Sequence, residues 1–154
     1  MEQNKKLILT SELIPQTCFY TNVRSNVSKS EWDRIRKKSY KQYNNVCGVC
    51  GDSGKNQGAN HAVECHEIFE YDDINHVQKL VALIALCPYC HKCKHPGLAQ
   101  INGETEIVIA QLMKVNGMTK KEAEDYLEEC FKVWQERSQH NWALDITFLV
   151  EFLK

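Results

Sequence analysis

The sequence contains no apolar run of the roughly 18–20 residues that a membrane-spanning helix requires. Its longest such run, Leu80 to Leu86, has the length of a β-strand. The segment from Met1 to Thr10 carries charges and lacks both the long apolar stretch and the small-residue cleavage site of a secretory signal peptide. These absences predict a cytoplasmic protein with no membrane partner.

An excess of charge of either sign is also missing. The 19 basic and 20 acidic side chains give a net charge of −1, so no overall field attracts the chain to nucleic acid or to a membrane surface. Apolar residues (43%) and charged residues (25%) occur at ordinary globular frequencies, which excludes a chain that is disordered throughout. A charged partner must therefore be recruited by a local patch.

Eight cysteines need an explanation in a reducing compartment, where disulfides are rare. Four of them form two C-x-x-C pairs, Cys47/Cys50 and Cys87/Cys90, separated by 36 residues. Each pair offers two sulfurs from one tight turn, and four thiolates suit tetrahedral zinc. A redox dithiol is the alternative, but it requires only a single C-x-x-C at the start of a helix. The spacing predicts a structural zinc site, with Cys93 as a weaker candidate ligand. The other cysteines are predicted to be reduced, unreactive thiols: Cys18, Cys65 and Cys130.

Local signals predict the elements of the first half of the chain. Ser28 and Glu31 have the spacing of a capping box, and apolar residues at helical spacing follow, which predicts a helix over about 29–43. Two short strands are expected at about 62–69 and 79–86, joined by a polar connection.

The second half is predicted to be helical. A helix is expected after Gly103, with a stop at Asn116-Gly117. Thr119 and Glu122 form a second capping-box pair ahead of the clearest amphipathic helix, which runs to about Ser138. Its aromatic stripe is predicted to lie in the core.

Histidines cluster next to the second C-x-x-C pair. His91 and His95 follow it at i, i+4 spacing, so they would lie on one face of a short helix and could bind one cation together. Pro96 disfavours helical geometry at the preceding residue and predicts a helix break there. The first predicted strand carries His66, followed by Glu67. The remaining histidines are predicted to be surface or structural residues: His61, His76 and His140.

The order of these motifs resembles that of the HNH, or His-Me finger, nuclease family. Its members place a C-x-x-C pair, a strand with an Asp-His or His-His pair followed by Ile, and a second strand that ends in C-x-x-C-H. The segments that match follow in that order: Cys47-x-x-Cys50, Glu64-Cys-His66-Glu-Ile68 and Leu86-Cys-Pro-Tyr-Cys-His91. The resemblance covers about 46–98 and implies a zinc-tied ββα-metal, treble-clef-like hairpin core.

The resemblance also implies hydrolysis of phosphodiester bonds in DNA, with a structural zinc ion and a catalytic divalent cation (Mg²⁺, Mn²⁺, Ni²⁺ or Zn²⁺). His91 matches the family's metal ligand on the helix, and His95 resembles a second one. His66 fits two registers. In one register it is the general base and Cys65 replaces the metal-binding Asp; in the other it binds the cation and Glu67 takes the place of the base. The candidate catalytic residues are therefore His66, Glu67 and His91.

The chain departs from the family pattern at the middle Asn. This residue is expected about five positions before Cys87, where the sequence has Ala82, and Asn75 between the strands is a candidate substitute. The departure favours an alternative function, a non-catalytic zinc module that binds nucleic acid or protein. A further alternative is a nuclease subunit that is inactive until a protein partner in a larger system binds it.

A local basic patch lies on the first predicted helix. From Arg24 to Lys41, seven basic residues outnumber two acidic ones, a local excess of +5. Four of them form one stripe at i, i+3, i+4 and i+7: Arg34, Lys37, Lys38 and Lys41. Such a stripe is often only a solvated helix face. Beside a nuclease core it would contact the phosphate backbone of nucleic acid, independently of base sequence.

The expected organisation follows from the length and the motifs. A chain of 154 residues fits one domain, 1–154, with enough length for a hydrophobic core. We expect an α+β fold in three parts: an N-terminal segment with a basic helix (1–45), the HNH-like core (46–99) and a C-terminal helical extension (100–154).

Overall fold

The computed structural model describes residues 6–18 and 22–154. Within those ranges the chain is a mixed α+β structure with one three-stranded sheet and seven α-helices. Strands β1 (Glu64–Asp72) and β2 (Val77–Leu86) form an antiparallel hairpin, and β3 (Ala143–Asp145) lies parallel to β2 on its other side. The α+β prediction is confirmed.

The helices flank the hairpin in sequence. They are α1 (Val23–Asn26), α2 (Lys29–Gln42), α3 (Pro88–Lys94), α4 (Pro96–Ile101), α5 (Thr105–Asn116), α6 (Lys120–Arg137) and α7 (Phe148–Phe152). In the part of the chain that the structure describes, none of these helices combines the length and the apolar character needed to cross a membrane.

The longer helices begin and end where the sequence predicts. At the start of α2, the Ser28 hydroxyl accepts a hydrogen bond from the Glu31 N–H, and the Glu31 carboxylate accepts one from the Ser28 N–H, both at 3.2 Å. Thr119 and Glu122 form the same reciprocal pair at the start of α6. Helix α5 stops before Gly117, whose φ of 66° is a left-handed conformation that glycine adopts without Cβ strain.

The β1–β2 hairpin is longer than the predicted strands, 62–69 and 79–86. Its tight turn brings the polar ends of both strands together, so that they pair although they carry no hydrophobic pattern. The Asp72 carboxylate closes this turn, because it accepts hydrogen bonds from the backbone N–H groups of Ile74 and Asn75 and from the Asn75 side-chain amide.

Strand β2 contributes to two clusters of buried side chains. Leu86 belongs to the first cluster, which includes Leu112 of α5 and Leu127 of α6. Leu80 and Leu83 belong to the second, which includes residues of α1, α2 and α7. Full burial of each leucine contributes about 1.5–3 kcal/mol. The hairpin is thus held by packing against helices from both halves of the chain.

The predicted break in the helix after the second C-x-x-C pair falls at His95. Its φ of −126° and ψ of 59° lie outside the helical region, and Pro96 starts α4. The His95 N–H still donates to the Lys92 carbonyl at 3.1 Å. The bond keeps His95 against the end of α3.

Candidate metal centres and groove

Four cysteines from two loops converge near the end of β2. Cys47 and Cys50 lie in the loop after α2, where the Gly48 N–H donates to a carbonyl of β2 at 2.8 Å. Cys87 caps the start of α3, and its sulfur accepts a hydrogen bond from the Cys90 N–H at 3.4 Å. The four sulfur atoms lie within 4.8 Å of one another.

The spacing of these sulfurs fits one tetrahedral metal ion. Zn–S bonds of about 2.3 Å place the sulfurs of a regular four-thiolate site about 3.8 Å apart, and the Cys50 and Cys87 sulfurs are 3.6 Å apart. A disulfide needs about 2.05 Å, and none of the eight cysteines, all of which the structure describes, forms one. Hydrogen bonds from the Cys87 and Cys90 thiols hold the pKa of Cys47 well below its usual range. The four cysteines can therefore hold a metal such as zinc.

Two neighbouring side chains define the edge of this cluster. Gln111 on α5 donates its side-chain amide to the Cys90 sulfur at 3.2 Å. Cys93 is fully buried, but it lies outside the four-cysteine group and its sulfur contacts the Val108 carbonyl at 3.6 Å. Burial raises the pKa of Cys93 to about 12. The weaker candidate ligand is therefore a neutral thiol outside the four-cysteine group.

Three histidines form a second cluster. His66 comes from β1, His91 from α3 and His95 from the break after α3. The ring centroid of His66 lies 5.3 Å from that of His91 and 5.2 Å from that of His95. The centroids of His91 and His95 are 4.9 Å apart. One ligand atom from each ring lies within 4.8 Å of the others. Three nitrogen ligands can hold one divalent cation and leave a coordination position open for water or substrate.

Glu64 orients one of these rings. Its two carboxylate oxygens lie 2.8 Å from Nδ1 of His91 and 2.8 Å from Nε2 of His61. The hydrogen bond with His91, reinforced by that with His61, lowers the pKa of Glu64 to about 2. Because the carboxylate occupies Nδ1, the His91 ring offers Nε2 to a cation, a common arrangement at metal-binding histidines. This role was not predicted from the sequence, although Glu64 stands two residues before His66, on the same face of the strand.

The surroundings of the histidines favour neutral rings. Burial lowers the pKa of His66 well below its usual value, and the nearby His95 and His91 lower it further. Burial also lowers the pKa of His95 to about 4, again with His91 contributing. A neutral imidazole is the form that binds metals.

The residues on either side of His66 point away from the histidine cluster, because side chains alternate along a strand. Cys65 packs against the second core cluster, and burial raises its pKa to about 11. The Glu67 carboxylate accepts a hydrogen bond from the Val23 N–H at 2.5 Å, and burial raises its pKa. The structure therefore brings His66 to the other histidines without Glu67, a predicted catalytic residue, and without Cys65.

A groove of about 640 Å³ lies between α2 and β1 and reaches the histidine cluster at its edge. Glu64, Cys65 and His91 line one part of it. The helical side is lined by Arg24, Lys29, Trp32, Asp33, Arg36 and Tyr40. A smaller pocket of about 150 Å³ also reaches Glu64 and His91, together with His95. His91 can therefore be approached from two directions.

The predicted basic stripe lies on another face of α2. Arg34 donates to the Leu153 carbonyl at 2.7 Å, and Lys38 donates to the Phe152 carbonyl and lies 4.9 Å from that ring. These bonds satisfy carbonyls at the end of α7. None of the four residues of the stripe (Arg34, Lys37, Lys38 and Lys41) lines the groove. Binding of nucleic acid through this stripe stays a prediction.

The structure does not bring the candidate substitute for the family's Asn to the histidines. Asn75 lies in the hairpin turn, where it is bonded to Asp72, whereas His66 pairs with Ile84 near the opposite end of the hairpin. The side chain that occupies the expected position, Ala82, offers no hydrogen-bonding group.

Comparison with known proteins adds no assignment: no protein-family model, no curated protein and no solved structure matches the chain. The fold and the site thus define a small α+β protein with two groups of potential metal ligands, one of sulfur and one of nitrogen, and a groove beside the second group.

Proposed function

We propose that the protein is a metal-dependent endonuclease of the HNH type that hydrolyses phosphodiester bonds in DNA. The observation that carries this proposal is the convergence of His66, His91 and His95 at the end of a groove. These ligands are distinct from the four cysteines, and the two sets suit different cations, because thiolates select zinc whereas imidazoles suit several divalent metals. The order of motifs shared with the HNH family is the second support.

In this proposal a structural zinc ion ties the ββα core together. Its ligands are Cys47, Cys50, Cys87 and Cys90. The ion connects the loop after α2 to the start of α3, so that the hairpin and α3 keep a fixed relative orientation. The Gln111 amide, which donates to the Cys90 sulfur, stabilises negative charge on the thiolate.

The three histidines would hold the catalytic cation (Mg²⁺, Mn²⁺, Ni²⁺ or Zn²⁺). Such a cation polarises the phosphate and stabilises the charge that develops on the leaving oxygen. Glu64 fixes the ring of His91 through Nδ1. His66 lies equally near both other rings, which supports the role of third ligand over that of base. With His66 as a ligand, the attacking water would lose its proton directly to solvent.

One observation supports a second function, a non-catalytic zinc module that binds nucleic acid or protein. When His66 is a ligand, the register of the family puts the general base at Glu67, and this carboxylate is bonded to the Val23 N–H instead. Metal counting separates the two functions. A second divalent cation that is lost in His91→Ala supports the nuclease, whereas one tightly bound zinc per chain and no second site supports the module.

A plasmid-nicking assay tests the proposed activity. The parent protein, His66→Ala and His91→Ala are compared in Mg²⁺, Mn²⁺ or Ni²⁺, with His140→Ala as the matched control, since its ring stacks on His76 outside the cluster. We expect the parent and the control to nick equally and the two site variants to be at least about 100-fold slower. Equal cleavage by all four proteins would refute the assignment of the site.

A further inference from the structure

We propose that the groove between α2 and β1 binds one unpaired nucleotide of the DNA strand that is cut, with its base on Trp32 and its phosphate between Arg24 and Lys29. This inference rests on the proposed nuclease function and identifies the form of DNA that the site accepts. It also assigns phosphate binding to Arg24 of α1 and Lys29 at the start of α2, rather than to the predicted basic stripe.

The shape of the groove suits a ligand of nucleotide size. Five residues of α2 at i, i+3, i+4, i+7 and i+11 form one continuous wall: Lys29, Trp32, Asp33, Arg36 and Tyr40. Helical geometry puts residues at this spacing on one face. The volume of about 640 Å³ lies within the range of about 300–1,000 Å³ typical of small-molecule sites.

The charges that the groove leaves unpaired are positive. Asp33 is neutralised by Arg36, at 2.8 Å, and Glu64 is engaged with His61 and His91. Arg24 and Lys29 are exposed, and within the described residues neither has a carboxylate at salt-bridge distance. A groove whose acidic groups are already paired and whose two remaining cations face solvent favours an anion such as a phosphodiester.

Trp32 supplies the surface on which a base can stack. One part of its half-buried ring packs against the second core cluster, which holds it in place, and the remainder lines the groove. An aromatic ring held next to cations is the usual way in which proteins bind unpaired bases. A base inside a duplex has both faces covered by its neighbours, so only an unpaired or displaced nucleotide can use this ring.

The position of His91 connects the groove to the chemistry. This residue lines the groove and also belongs to the histidine cluster. When the base of one nucleotide lies on Trp32, the next phosphodiester of the same DNA strand is therefore directed towards the three histidines. The preferred substrate is then a single strand, a flap or an unpaired nucleotide in duplex DNA.

Fluorescence anisotropy tests this inference without any need for cleavage. The zinc-loaded protein, with no other divalent cation added, is titrated into a fluorescein-labelled single strand of about 12 nucleotides or into the corresponding duplex. Trp32→Leu removes the aromatic ring, Trp32→Phe retains one, and Arg24→Ala/Lys29→Ala removes the two cations. The matched controls are Trp142→Leu, whose ring contacts Tyr71 and His76 and does not line the groove, and Lys120→Ala/Lys121→Ala on α6, which removes the same charge.

We expect the parent to bind the single strand more tightly than the duplex. Trp32→Leu should weaken single-strand binding about 5- to 100-fold, Trp32→Phe should restore most of it, and neither should change duplex binding. The double basic variant should weaken binding and lower its salt dependence, unlike the α6 control. Thermal unfolding establishes which variants are folded. If Trp32→Leu is unfolded, Arg24→Ala/Lys29→Ala still tests the groove, because both of its residues are exposed.

The possible outcomes separate this inference from the proposed function. If the parent nicks plasmid in a His91-dependent way but Trp32→Leu and Arg24→Ala/Lys29→Ala bind the single strand as the parent does, the groove assignment is overturned and the nuclease stands. If the groove variants lose single-strand binding while the parent nicks no substrate, the binding site stands and the nuclease falls. Equal affinity of the parent for single strand and duplex would also overturn the inference.

Discussion

Replacing Cys90 or Cys93 with alanine separates metal binding from packing. Both residues lie on α3, three positions apart, and both are 0% exposed. Only Cys90 belongs to the group of four sulfurs. Removal of one buried heavy atom lowers the free energy of unfolding by about 1 kcal/mol in each variant. Any additional loss in Cys90→Ala therefore measures the contribution of the metal.

This additional loss should be large. A structural zinc ion contributes about 10–16 kcal/mol of apparent binding free energy in small zinc domains, which is comparable with the whole unfolding free energy of a domain, about 5–15 kcal/mol. Even if three sulfurs retain most of it, we expect a loss of at least about 4 kcal/mol. Since 1 kcal/mol corresponds to about 2–4 °C at this chain length, Cys93→Ala should melt about 2–4 °C below the parent and Cys90→Ala at least about 10 °C below it.

Metal analysis by mass spectrometry and thermal unfolding by circular dichroism measure the two effects. Both variants are made in a His91→Ala background, so that only metal at the sulfur site is counted. We expect one zinc ion per chain in Cys93→Ala, less than one in Cys90→Ala, and a chelator that lowers the melting temperature of Cys93→Ala more than that of Cys90→Ala. The same zinc content and melting temperature in both variants would show that the four sulfurs hold no structural metal.

Three further substitutions test other contacts. Glu64→Gln removes the charge that faces His91 but keeps the size of the side chain. We expect about 10- to 100-fold weaker cation binding, measured as the Mn²⁺ concentration that gives half-maximal plasmid nicking. An unchanged half-maximal concentration would contradict the orienting role. Asn116→Ala removes three hydrogen bonds to the backbone of residues 8–9. Its free energy of unfolding, measured in urea, should fall by about 2–4 kcal/mol. A loss below about 0.5 kcal/mol would show that these bonds contribute little. Lys38→Met removes a bond to the end of α7 and should lower stability by about 1 kcal/mol without weakening DNA binding; weaker binding at unchanged stability would instead support the predicted phosphate contact.

Features set by neighbouring residues could be predicted from the sequence. The capping boxes at Ser28 and Thr119 are closed by side chains three positions along, so the starts of α2 and α6 are encoded locally. The break at His95 follows from the proline beside it. The four cysteines could be grouped because two C-x-x-C turns restrict which sulfurs can meet, and the i, i+4 spacing of His91 and His95 indicated a shared face.

Features that depend on distant segments could not be predicted. The three residues of β3 have no periodicity of their own, and they form a strand only because β2 offers an edge at Val77. The orientation of Glu67 depends on the Val23 N–H, 44 positions earlier. The groove exists because α2 packs beside β1. A one-dimensional count of basic residues cannot tell which face of α2 meets α7 and which stays open.

Helix α3 joins the two ligand sets across a single peptide bond, since Cys90 belongs to the sulfur group and His91 to the nitrogen group. A helix of seven residues has almost no stability in isolation, so the direction in which it presents His91 depends on the anchored sulfur beside it. Oxidation within the four-sulfur group to a sulfenic acid or a mixed disulfide would therefore change the position of His91 although every imidazole remained intact. If the chain cuts DNA as proposed, its cleavage rate should fall when the thiolates of the sulfur group are oxidised.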